Sequence, residues 1–196
     1  MRDFLRVWFT GYVSPTKFID GFADKPAPHW GFYAHLLRVF MDSFLLYLPL
    51  FLLGRTPPTP SYVSFISTDT YYGALVWLTP IVFTAQWLLG GSLMHVILRL
   101  SGRSSDFDRI LNITGMGTLV VGAFLIFWDW LWIIAGSVDQ HWLGYSHLLI
   151  DVWGVVITVV GLRKRLGVPV WLGVGMYLLA MAFSMPLAIM FMRSPL

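Results

Sequence analysis

The sequence predicts an all-α polytopic membrane protein, and three observations predict it. Charged residues make up only 12% of the chain and hydrophobic residues 57%, where soluble domains carry roughly a quarter charged residues. Five apolar runs, at 36–53, 72–98, 113–136, 144–162 and 170–192, each come near the ~20 residues a helix needs to cross about 30 Å of hydrocarbon. Proline and glycine punctuate the joins, as in GRTPPTPS after the first run and GVP before the last. A bilayer supplies no hydrogen bonds to backbone, so spans of this length are helical.

In chain order, residues 1–35 read as a cytoplasmic or interfacial segment and residues 36–196 as a five-span membrane domain. Ser14 followed by Pro15 is a helix start, with serine as cap and proline in the first turn. Phe18, Ile19 and Phe22 then form an apolar stripe beside Lys17 and Lys25, the pattern of a short helix lying in the headgroup region. No cleavable leader opens the sequence, so the first span is expected to direct insertion. Pro80, Gly90, Gly91 and Pro186 fall inside spans and predict kinks. Residues 106–112, led by Ser104 and Ser105, predict a short cytoplasmic helix feeding the third span.

Charge sets the orientation. The stretch through Arg38 holds five lysines and arginines, the 99–109 loop three and positions 163–165 three more, against Arg55 and Arg193 opposite. Basic loops stay cytoplasmic, so the N-terminus is predicted inside and the C-terminus outside. Trp128, Trp130, Trp132, Trp142 and Tyr145 then fall at the outer surface as an aromatic belt. The net charge of +3 is a topology signal and makes no case for nucleic acid. With no cysteine, disulfides, thiolate metal sites and thiol nucleophiles are excluded.

The costly residues are the polar ones inside spans. Asp129 and Asp151 each lie about seven residues from the turn joining the third and fourth runs, which puts both roughly 10 Å below one surface. Gly115, Gly122, Asp129 and Gly136 recur at seven-residue steps on the third helix. On the fourth, Gly144, His147, Asp151, Gly154, Thr158 and Gly161 share a side. Small residues let helices approach closely in lipid, so both acids are expected to face protein and, with His147, to form a candidate ion or proton site. Two acids sharing a site hold one proton between them; a divalent cation is the other occupant, with Asp139 and His141 as added ligands. The alternative is structural, each acid bonding a backbone group or a tryptophan indole. Asp42 and His95 are expected at comparable depth near the inner ends of the first and second spans, with Gln86 at mid-membrane. A local Arg38–Asp42 pair at four-residue spacing, snorkelling to the interface, is favoured over an Asp42–His95 contact. His29, His35 and His141 read as interfacial. Neither HExxH nor GxSxG occurs, and neither aspartate sits in a GxGD pattern, so no catalytic residue is assigned.

Three stretches together, SPTKFIDGF at 14–22, LRLSGRSSDFDRILN at 98–112 and GLRKRLGVPVW at 161–171, resemble the Yip domain family, the Ypt/Rab-interacting proteins and their bacterial relatives. The resemblance implies five spans, no catalytic residues and, in the eukaryotic branch, contact with Rab-type GTPases. That branch's acidic DLYGP-like signature is absent here, and ITGMG stands where an early proline is expected in the third span. The expected function is a non-enzymatic scaffold or organiser of a bacterial inner membrane, self-associating and in contact with lipid. The alternative is a small transporter or channel for protons or cations. No cofactor is expected beyond a bound lipid or cation.

Overall fold

The computed structural model describes residues 2–23, 29–58, 60–136 and 140–191, with backbone alone at 23, 29, 140, 141 and 188. Every regular element among them is helical: α1 (Arg2–Thr10), α2 (Pro15–Ala23), α3 (His29–Met41), a π-helical stretch (Asp42–Tyr47), α4 (Leu48–Leu52), a single 3₁₀ turn (Thr68–Thr70), α5 (Tyr71–Leu100), α6 (Phe107–Ala135), α7 (Gln140–Leu166) and α8 (Val170–Phe191). Five segments are long and apolar enough to cross a membrane: Trp30–Leu52, Thr68–Leu100, Phe107–Ala135, Trp142–Leu166 and Val170–Phe191.

The first span begins upstream of position 36, because His29 to His35 is already helical. The segment 106–112 is likewise no separate helix. Asp106 caps α6, its carboxylate accepting from the Arg109 N–H at 3.1 Å, and the helix runs on without a break into the third span. α6 and α7 close on Gly136 (φ 66°) and Gly167 (φ 64°), left-handed conformations that glycine adopts freely.

α6 is the central post. α3 runs parallel to it, with matched contacts rising together along both helices: Gly31 with Asn112 and Gly115, Arg38 with Gly122, and Leu45 with Trp130. A Cβ at Gly31 or Gly115 would overlap the other helix's backbone, so the crossing requires both glycines. The Gly31 N–H donates to Asn112 Oδ1 at 2.6 Å, giving the start of α3 a buried acceptor. α7 packs antiparallel to α6 in one register, read from Asp129–His147, Val121–Gly154 and Ile113–Gly161. α5 is antiparallel to α6 through Trp87, whose indole donates to Thr114 Oγ1 at 3.0 Å, and through Gly91 against Leu111. α8 closes the bundle against α5 and α7.

The π-helical stretch has a covalent cause. Pro49 has no N–H, so the carbonyl of Leu45 loses its donor and the ring crowds the turn before it. The Trp130 indole N–H donates to the Leu45 carbonyl at 2.7 Å and replaces the missing bond. Trp128 likewise donates to Ser146 Oγ at 2.8 Å. Two residues of the expected aromatic belt therefore tie helices together, while Trp142 and Tyr145 are exposed.

The N-terminal helices are docked on the bundle. Phe18, Ile19 and Phe22 are fully buried, with Ile19 and Ile113 both against Gly161. The stripe expected to enter the headgroup region thus faces protein. The Trp153 indole donates to the Gly11 carbonyl at 2.9 Å, and Lys164 Nζ meets Asp20 at 2.7 Å. α2, the 101–106 loop and the end of α7 lie at one end of the bundle, so the described basic residues of these segments gather there, while α1 leads to Gly11 against Val120 in the middle of α6; Lys25 and Arg193 lie outside the described residues.

Candidate functional site

All five spans contribute to one cavity of about 270 Å³. Its wall is mainly apolar, and its polar groups are few: Arg38 and His35 from α3, Gln86 from α5, Thr114 and Thr118 from α6, Asp151 and Thr158 from α7, Tyr177 and Ser184 from α8. On α6 the cavity runs from Thr114 to Leu125, which is the middle of a helix bounded by Phe107 and Ala135.

Arg38 does not snorkel. Its side chain is only 13% exposed, pairs with Asp42, itself 4% exposed, and lies across Gly122 with its Cζ 5.9 Å from the Phe83 ring centre. Because the helix starts at His29, Arg38 and Asp42 sit well inside the span and cannot reach the basic end. The same shift separates Asp42 from His95. Asp42 stands one turn beyond Arg38 and Gly122, whereas His95 packs edge-on against Phe107 at the start of α6 and bonds Ser105 at 2.9 Å. Along α6 those two levels differ by roughly 25 Å, so the expected equal depth does not hold.

Asp129 is buried and shares a 2.7 Å hydrogen bond with His147 Nε2. Asp151 is elsewhere. The α6–α7 register sets it level with residue 124, about 7 Å deeper than Asp129, because α7 begins at Gln140 and not at Gly144. The expected pair of acids at one depth is therefore replaced by two separate arrangements. Asp129 is held by His147, and Asp151 faces the cavity. Among the described residues Asp151 makes no hydrogen bond or ion pair, and the charged groups whose fields reach it are His147 and Arg38. No three acidic or imidazole groups converge as a metal-ligand set among the described residues. Asp139 lies outside the described residues, as does the side chain of His141.

His35, read from sequence as interfacial, is 3% exposed and stacks on Trp87 with ring centres 4.4 Å apart. Its Nε2 shares a hydrogen bond with Thr84 at 3.2 Å, and its buried Nδ1 has no partner among the described residues. Gln86 stands midway along α5 and donates to the Ser184 carbonyl at 2.9 Å, two residues before Pro186 in α8. Tyr177 carried no sequence signal. Its hydroxyl packs on Gly154, where a Cβ would lie 2.9 Å away, and so shares a wall with Asp151 one turn earlier on α7.

The arrangement brings one bare carboxylate and one paired guanidinium to the same level of a mid-span cavity, ringed by hydroxyls and aromatic rings. A carboxylate surrounded by hydrocarbon is costly unless a proton, a cation or water meets it. No protein family, curated protein or solved structure matches the chain, so the resemblance to the Yip domain family rests on the three loose stretches alone.

Proposed function

We propose that this protein is a small-solute carrier of the membrane, non-enzymatic, with its binding site at mid-span. The observation that carries the reading is Asp151: an unpaired acid inside a cavity to which every span contributes. A carboxylate kept for architecture would be bonded, as Asp42 and Asp129 are. Intramembrane acids mark ion and substrate pathways, and carriers hold cargo near the bilayer midplane. The Asp129–His147 pair lies between Asp151 and the end of the bundle away from the basic segments, where it offers a proton or cation a next station.

By the positive-inside rule, the basic end faces the cytoplasm, the N-terminus is inside and the C-terminus outside. Exposed Trp77, Ile81, Leu149 and Trp171 supply the lipid-facing surface. Those same residues are all that a scaffolding, self-associating role has in its favour, and lipid accounts for them equally. The purified full chain in liposomes, loaded with a pH-sensitive dye, tests the proposal. A proton or monovalent-cation flux above that of empty liposomes, lost in Asp151→Asn while the variant stays monodisperse, supports it. Flux equal in Asp151→Asn and the natural chain overturns it.

A further inference from the structure

The charge pairing around the cavity names the class of cargo. Arg38 is matched by Asp42 and His147 by Asp129, while His35, the other basic side chain on the wall, stacks on Trp87 and bonds Thr84. The acid on the wall that is left without a partner among the described residues is Asp151. A monovalent cation balances it; an anion does not. The space decides between a bare ion and an organic one. A cavity of about 270 Å³ is many times the volume of a single water and close to the lower bound for small-molecule sites. The cavity wall is mainly apolar and aromatic, with Phe83, Trp87, Met94, Tyr177 and Met181 among its residues and Tyr177 beside Gly154, one turn from Asp151. Aromatic faces and polarisable methionines hold an apolar body and favour a cation near the rings. His35 Nδ1, buried with no partner among the described residues, gives a second polar anchor away from the acid.

We infer that the cavity takes a small organic ammonium, a protonated amine on a compact apolar body, whose cationic head pairs with Asp151 while its body fills the Phe83–Trp87–Met181 wall. The inference rests on the carrier reading and deepens it. Asp151 is the recognition group, and Arg38 is kept from competing for it by Asp42 and by its seat across Gly122.

The test is equilibrium binding to the full chain in detergent micelles, with 2-phenylethylammonium, its neutral analogue 2-phenylethanol, the anion phenylacetate, and sodium or potassium chloride as probes. The expected result is saturable binding of the amine at least about tenfold tighter than the alcohol, as a matched buried charge gives, with no binding of phenylacetate. Asp151→Asn should abolish the tenfold preference, and Asp20→Asn, at the Lys164 pair outside the cavity, should leave it intact. The comparison among the three organic probes needs no variant, so it stands even if Asp151→Asn fails to fold. Phenylacetate binding as well as the amine, or an amine preference unchanged in Asp151→Asn, overturns the inference. A response to sodium or potassium alone also overturns it, while leaving Asp151-dependent cation flux standing. Absence of every binding signal together with Asp151-independent flux removes both readings.

Discussion

The Arg38 side chain occupies the space that a Cβ on Gly122 would fill, since any substituent there overlaps Nε, Cδ and Cζ. Gly122 is thus the seat of the only described cation on the cavity wall, and the Arg38–Asp42 pair depends on it. Gly122→Ala must push the guanidinium aside, and overpacking a closed site costs about 1–3 kcal/mol. Gly144→Ala on α7, where a Cβ meets nothing within 4 Å, should be neutral or up to about 1 kcal/mol stabilising through helix propensity. Equilibrium unfolding of both variants in mixed micelles gives the comparison, and equal effects would contradict the seat.

Asn112 exists for a neighbouring helix. Its side-chain oxygen takes the buried Gly31 N–H at 2.6 Å, and Asn112→Ala leaves that donor unsatisfied at a cost of about 1–3 kcal/mol. Gly31→Ala should cost more than Asn112→Ala, because the added methyl meets backbone, which cannot swing away. Unfolding midpoints of the two variants rank them.

Trp130 and Pro49 should be coupled, since the indole serves the carbonyl that the proline deprives. Trp130→Phe in the natural chain should cost about 1 kcal/mol for the lost hydrogen bond beyond its packing term. In a Pro49→Ala background the restored N–H competes for Leu45, and the cost of Trp130→Phe should shrink. A double-mutant cycle reads the difference; strict additivity would contradict the link.

The α7 side of the α6–α7 interface was legible in sequence, because Gly154, Gly161 and His147 fall on one side and do meet Val121, Ile113 and Asp129 of α6. The seven-residue steps on α6 mark a different seam, since Gly115 and Gly122 face α3. The Arg38–Asp42 spacing likewise announced its ion pair. Depth was not legible. Histidine is polar and tryptophan and tyrosine are amphipathic, so HWGFYAH looked like a flank when it is the first two turns of a span. That error carried Arg38, Asp42 and His35 toward the interface on paper, and a late start for α7 raised Asp151 to the level of Asp129. The cavity itself was illegible, because no spacing along one helix shows where five helices fail to meet.

The docking of α2 should depend on burial and hardly on charge. Phe18→Ala removes a side chain with no exposed surface and should cost about 3–5 kcal/mol. Lys164→Ala breaks a pair whose members are 34% and 52% exposed, and should cost about 0–1 kcal/mol. Limited proteolysis between α1 and α2, alongside unfolding, distinguishes them: Phe18→Ala should expose the segment and Lys164→Ala should not.

Carboxyl labelling of the natural chain tests the central claim most directly. A hydrophobic carbodiimide reaches acids inside membrane proteins and is stopped by carboxylates already held in ion pairs. Peptide mass spectrometry should find Asp151 modified first, Asp42 and Asp129 spared, and the Asp151 adduct reduced by 2-phenylethylammonium. Modification of Asp42 or Asp129 as fast as Asp151, or an untouched Asp151, would contradict the account.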